Sequence, residues 1–172
     1  IIYIEGYLFD QSDAKKAIYH CCKLAKVNNC KIALSLSDSF CVDRHREELC
    51  NLINKYVDII FANETEIQSL YQSNLQESLK KIREVTETGA ITLGSKGSIV
   101  FQNQVKNLVP AIIVNDPVDT TGAGDIFASG FLFGLINKYS IEDCGKLGSK
   151  VASDIIKYIG ARPKISFKTF LN

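Results

Sequence analysis

Short apolar runs alternate with helix-period segments through the first half of this chain, and that alternation limits its possible folds more than any other feature. Ile1–Ile4, Lys31–Leu36 and Val57–Phe61 read as buried strands, too short for helices and rich in Ile, Leu, Val and Phe. Between them the spacing predicts a helix from Ser12, its cap, to about Val27, with Ala14, Ala17, Ile18, Cys21, Leu24 and Ala25 on one stripe. A second helix is expected over about 43–55, and others at Glu64–Tyr71 and Leu75–Thr86. A helix between two strands carries the chain back across the sheet, so successive strands run parallel. The expectation is an α/β fold with a mainly parallel sheet covered by helices, one domain over residues 1–172.

The rhythm changes after residue 90. Ala90–Leu93 and Ser98–Phe101 flank Gly94-Ser95-Lys96-Gly97, which predicts two strands joined by a tight turn. Short strands, antiparallel at one edge, are expected through the extended β-branched run Ala111-Ile112-Ile113-Val114. Two helices follow, about 122–137 and 141–158, then a loop from Gly160 with a short helix after Ser166.

Twenty basic and nineteen acidic side chains give a net charge of +1, which offers no argument for nucleic acid or an anionic membrane. No apolar run is long enough to span a bilayer, and Gly130 and Gly134 mark a closely packed helix face. The six cysteines include a Cys21-Cys22 pair in a helical segment but no CxxC spacing. They read as reduced, small apolar residues of a cytoplasmic protein. The chain contains no methionine and opens on a hydrophobic strand, so the expectation is a C-terminal portion of a longer protein.

The chemistry is concentrated in Asp119-Thr120-Thr121-Gly122-Ala123-Gly124-Asp125, between the β-branched run and the apolar helix. Small residues at a helix start leave backbone N–H groups open to an anion, and the helix dipole adds to the attraction. A carboxylate at Asp125 faces whatever those groups hold, an arrangement suited to phosphoryl transfer to a hydroxyl. The spacing is neither GxxxxGK[ST] nor GxGxxG, and glycine-rich loops otherwise serve turns. In a parallel sheet ligands collect at the strands' carboxyl ends, where Glu5, Asp38, Asn63, Glu64, Glu66 and Lys96 also fall.

The Asp-Thr-x-Gly-Ala-Gly-Asp stretch, continued through Ser129-Gly130, resembles the second signature of the ribokinase-like carbohydrate and nucleoside kinases. Asn63-Glu64-Thr65-Glu66 is similar to that family's Asn-x-x-Glu element, and Thr92-Leu93-Gly94-Ser95-Lys96-Gly97 to its Thr-x-Gly-x-x-Gly stretch. The resemblance covers essentially the whole chain but only the back half of a full kinase. It implies a three-layer α/β/α fold whose N-terminal half and lid are absent from this sequence. It implies Asp125 as the base, with the N–H groups of Gly122, Ala123 and Gly124 as the anion hole. Thr92, Gly94, Lys96 and Gly97 would lie along the nucleotide phosphates. Asn63 and Glu66 would organise Mg²⁺, chiefly through water, while Asp119 and Thr121 would sit near a monovalent-cation site completed by Gly160–Ser166. ATP and Mg²⁺ are therefore expected, with K⁺ use varying among members.

Leu36-Ser37-Asp38-Ser39-Phe40, Phe61-Ala62-Asn63-Glu64 and Gly160-Ala161-Arg162-Pro163 resemble the adenosine-kinase-like branch, which implies transfer to the 5′-hydroxyl of adenosine. A sugar kinase with a ribose- or fructose-type acceptor is the alternative. The partner is then a small nucleoside or sugar, with no nucleic acid and no membrane, and the full-length chain is a monomer or homodimer. A nucleotide-binding regulator that has lost turnover is disfavoured by the presence of Asp125. An oxidoreductase is disfavoured because no GxGxxG follows any strand. Asp43-Arg44-His45-Arg46-Glu47-Glu48 reads as a solvated helix start, with Arg44 or Arg46 open to a phosphate contact. His20 beside two cysteines does not make a metal site, since three contiguous residues cannot share a helix face.

Overall fold

The computed structural model describes residues 1–170, with the side chain of Phe167 left aside. The chain divides into two compact units, Ile1–Ile91 with Phe101–Asn103, and Thr92–Val100 with the chain from Gln104 onward. Its six strands hydrogen-bond in chain order in one mixed sheet.

In the first unit, β1 (Ile2–Glu5), β2 (Ile32–Ser35) and β3 (Ile59–Asn63) are parallel, with Ile4 opposite Leu34 and Leu34 opposite Ile60. Ile32, Ala33 and Leu34 of β2, and Ile59 to Ala62 of β3, are buried, as strands covered on both faces must be. Each such Ile, Leu or Phe contributes about 1.5–3 kcal/mol by leaving water. Helices α1 (Ser12–Val27), α2 (Ser39–Tyr56), α3 (Glu64–Tyr71) and α4 (Leu75–Val85) connect the strands and lead to β4 (Thr88–Thr92).

Two expectations for α1 are corrected. Its cap position is Gln11, without a side-chain bond, and Ser12 is already helical. The buried stripe is Ile18, Cys22 and Ala25, whereas Cys21 and Leu24 face solvent. The i, i+4, i+7 set makes a narrower seam than the six residues predicted, so the helix settles with that seam inward. Helix α2 also starts earlier than expected, because Asp38 caps it by accepting the Cys41 N–H at 2.7 Å. The charge run from Asp43 therefore lies inside the helix and not at its start, and its arginines are paired: Arg44 with Asp10, and Arg46 with Asp43.

In the second unit, a single 3-10 turn at Gly94–Lys96 leads into β5 (Ser98–Gln102), and the Leu93 N–H donates to the Gly97 carbonyl across it at 2.7 Å. Gly97 has φ +100°, and a Cβ there would collide with the Val109 carbonyl. Strand β6 is Val105–Val109. The β-branched run Ala111–Val114 is not a strand, contrary to expectation. It follows Pro110, which has no N–H to donate, and the chain there runs as an extended loop. Helices α5 (Ala123–Ile136) and α6 (Ile141–Ile155) pack through small residues. A Cβ on Gly130 would lie 2.7 Å from Val151 Cγ2 and 3.0 Å from Gly148 Cα. One on Gly134 would lie 3.0 Å from Cys144 Sγ, so these glycines set a close approach. No helix of the described residues is long and apolar enough to cross a membrane.

Candidate active site at the glycine turn

The sequence Thr121-Gly122-Ala123 can open a helix abruptly because Gly122, the cap residue of α5, takes φ +76° and ψ 2°. A side chain there would be strained, and its Cβ would meet Ala161 Cβ at 2.6 Å. A glycine cap also brings no side-chain hydrogen bond to the start of α5. One predicted member of the anion hole is spoken for: the Ala123 N–H donates to the Thr120 carbonyl at 3.1 Å. At Gly124 a Cβ would have nothing within 4 Å, so the space over the turn is open. Asp125 is exposed in the first turn of α5, where a carboxylate also favours the helix dipole.

Asp119 ties this turn to the loop after α6. Its Oδ1 accepts the Thr121 N–H at 2.9 Å and its Oδ2 the Gly160 N–H at 3.0 Å. The Gly160 bond, with the bonds from Thr121, holds the Asp119 carboxyl below its ordinary range. The Val118 N–H also donates to the Ile156 carbonyl at 2.8 Å, so the loop approaching the turn is pinned to the end of α6.

Beside the turn lies a cavity of about 370 Å³ within the second unit. Thr92, Gly94, Ser95 and Gly97 line one part, the extended segment Ala111–Val114 another, and Ala123, Gly124 and Phe127 a third. Thus Thr92, Gly94, Gly97, Ala123 and Gly124, all singled out from sequence, share one cavity. Lys96, Gly122, Asp119, Thr121 and Asp125 are not among its lining residues, and Lys96 is exposed. Helix α6 contributes Ser149, Ala152 and Ser153, and its C-terminal cap contributes Ile156, all of which the sequence reading missed. Their small-residue spacing at i, i+3, i+4 was the available signal. An apolar wall with small and hydroxyl residues and three glycines, Gly94, Gly97 and Gly124, suits a planar ring carrying phosphates.

In the first unit, Asn63 and Glu66 form a reciprocal capping box on α3. Glu66 Oε2 accepts the Asn63 N–H at 2.9 Å, its Oε1 accepts Asn63 Nδ2 at 2.6 Å, and Asn63 Oδ1 accepts the Glu66 N–H at 2.9 Å. Glu66 is 6% exposed, so this network accounts for a buried carboxylate. Carboxylate and amide oxygens are the hard donors that suit a hydrated Mg²⁺. No group of three or more His, Cys, Asp or Glu side chains able to hold a metal occurs among the described residues. At the neighbouring strand ends, the Tyr7 hydroxyl donates to the Asp38 carboxylate, and this bond pushes the Tyr7 phenol up to about 12. Burial opposes ionisation of Asp38, but the Cys41 N–H, the Tyr7 hydroxyl and the Phe40 N–H outweigh it and hold its carboxyl low.

The pfkB family carbohydrate kinase model matches residues 1–167. An adenosine kinase of Dictyostelium discoideum is 32% identical over 184 residues, covering 96% of this chain and 53% of that protein. Among solved structures, a probable sugar kinase of Rhizobium etli CFN 42 superposes with a TM-score of 0.94 at 44% identity, covering 98% of this chain and 52% of that one. The adenosine kinase of Sinorhizobium meliloti gives a TM-score of 0.94 at 40% identity, with 98% and 52% covered. The chain spans about half the length of the relatives it matches. With the glycine turn, the adjacent cavity and the three motifs in one sequence, the chain belongs to the pfkB family of carbohydrate kinases.

Proposed function

We propose that the protein carrying this chain is an ATP-dependent phosphotransferase acting on the 5′-hydroxyl of adenosine or a related nucleoside. The observation that carries the reading is the glycine turn, a helix start without a side-chain cap, with Asp125 in its first turn and a cavity of about 370 Å³ alongside. In this reading the cavity takes the nucleotide, with the Gly94–Gly97 turn along its phosphates. The N–H groups of Gly122 and Gly124 face the transferring phosphoryl, and Ala123 joins them once its bond to Thr120 gives way. Asp125 accepts the proton of the acceptor hydroxyl as that oxygen bonds to the γ-phosphorus and ADP leaves with the broken bond's electron pair. Asn63 and Glu66 would hold a hydrated Mg²⁺, whose charge would favour phosphoryl transfer. Asp119 and Thr121 would border a K⁺ site in which Asp119 supplies the anionic oxygen.

Nucleoside is preferred over sugar as the acceptor on the sequence likeness to the two adenosine kinases. A sugar acceptor is the second reading, favoured by the likeness to the Rhizobium etli protein at 44% identity. Steady-state rates of the full-length protein with MgATP and adenosine, ribose or fructose test both. ADP formation dependent on adenosine and abolished in Asp125→Asn supports the first. Turnover on a free sugar alone supports the second, and no nucleotide turnover with any acceptor removes both.

A further inference from the structure

A cluster of charged side chains stands apart from the glycine turn, within the first unit, where α2 meets the Gly6–Asp10 turn that follows β1. At its centre His45 presents both ring nitrogens to carboxylates: Nε2 lies 2.8 Å from Asp10 Oδ1, and Nδ1 lies 3.3 Å from Glu48 Oε2. Its side chain is only 14% exposed. A neutral imidazole has a single N–H, so one of these contacts would oppose lone pair to lone pair, whereas the imidazolium donates to both. The same residue breaks α2: His45 has φ −122° and ψ 20°, and two helical segments meet there. Helix kinks need a cause, and this one has neither Pro nor Gly, only a side chain pulled towards the Asp10 turn.

The charged groups around His45 already hold partners of their own. Arg44 binds Asp10 through Nε at 3.1 Å and a terminal nitrogen at 2.8 Å, and with His45 holds that carboxyl low. Lys15 from α1 binds Glu48 at 2.6 Å and does the same there. Tyr19 of α1 is pushed up by burial and by Glu48, and Cys41 of α2 by burial and by Asp10, so neither ionises in the neutral range. Phe9 supplies an apolar wall, its ring 6.0 Å from the imidazole.

We propose that His45 is a proton-operated latch between the turn after β1 and the first turns of α2. Protonated, it bridges Asp10 and Glu48 across the kink. As pH rises and the second N–H is lost, one of the two His45 contacts breaks, and the segments, still tied by Arg44 to Asp10, loosen against each other. Both segments also meet at Tyr7 and Asp38, at the carboxyl ends of β1 and β2, so the latch controls order at the strand ends. The inference stands independently of the kinase reading.

The test is hydrogen exchange and ring nitrogen NMR on the full-length protein at about pH 5.5 and 8.5, a span that brackets ordinary imidazole titration. At the acidic end both His45 nitrogens should carry protons. Between the two conditions, intrinsic-rate-corrected protection should fall about fivefold or more in Gly6–Asp10 and Ser39–Arg44, while α4 stays unchanged. His45→Gln should show low protection of these segments at both pH values. Three results overturn the latch: a singly protonated ring at the acidic end, equal wild-type protection at both pH values, or an unchanged pH dependence in His45→Gln. If that variant does not fold, the wild-type ring titration and exchange decide alone.

Discussion

Asp119 accepts the backbone N–H of Gly160, forty-one residues further along the chain, at 3.0 Å while its other oxygen holds Thr121 at 2.9 Å. One carboxylate therefore closes the glycine turn against the loop that follows α6. Asp119→Ala should leave the fold intact but free the turn, with amide protection lost at Thr121–Gly124 and kcat reduced by about tenfold or more through misplaced donors. Asp119→Asn, which keeps an acceptor for one of the two N–H groups, should fall between. Exchange and steady-state assays on the full-length protein check both.

The same carboxylate gives a pH signature. Its folded value lies below the ordinary 3.8, so the stability it supplies is fully present above that value and is lost as pH falls through the folded one. Urea melts of wild type should weaken below about pH 4, and Asp119→Ala should flatten that part of the profile.

Gly122 meets two demands at once, φ +76° and the close passage of Ala161. Gly122→Ala should destabilise by about 1–3 kcal/mol, read as a lower urea midpoint with unchanged slope. Gly124→Ala, with open space at its Cβ and an ordinary helical φ, should cost little stability and act instead on nucleotide binding.

Asp125→Asn should lower kcat by about 10²–10⁴-fold while leaving the KM for ATP within a few-fold of wild type. A near-wild-type kcat would remove Asp125 as the base.

Glu66 separates structure from metal handling. Glu66→Gln preserves an acceptor for the Asn63 N–H and should fold normally, yet raise the Mg²⁺ concentration needed for half-maximal rate. Glu66→Ala should in addition lose about 1 kcal/mol with the capping box. Equal Mg²⁺ dependence in Glu66→Gln and wild type would restrict Glu66 to capping.

The parallel strands and α3, α5 and α6 were legible because local and tertiary preferences agree there: Ile59-Ile60-Phe61 is apolar throughout, and Asn63 and Glu66 stand at cap spacing. Ala111–Val114 was misread as strand because β-branched residues signal extended backbone, and extension alone does not supply a partner strand. The α1 stripe was drawn too wide, since periodicity identifies a face but not which edge of it meets the sheet. The glycines were recognised as a cluster, but the Ala123 bond to Thr120 depends on backbone angles that composition does not encode. His45 was hidden for a different reason. A run of charges looks solvated until the fold brings Asp10 and Lys15 from other segments to meet it.

The glycine contacts between α5 and α6 have a mechanical consequence. With Gly130 against Gly148 and Gly134 against Cys144, the two helices pack at close range, and a displacement of one should press directly on the other. A recoil of the turn at one end of α5 is then resisted by the stiffness of both rods, and thickening either contact by a methyl group would tilt the whole lever.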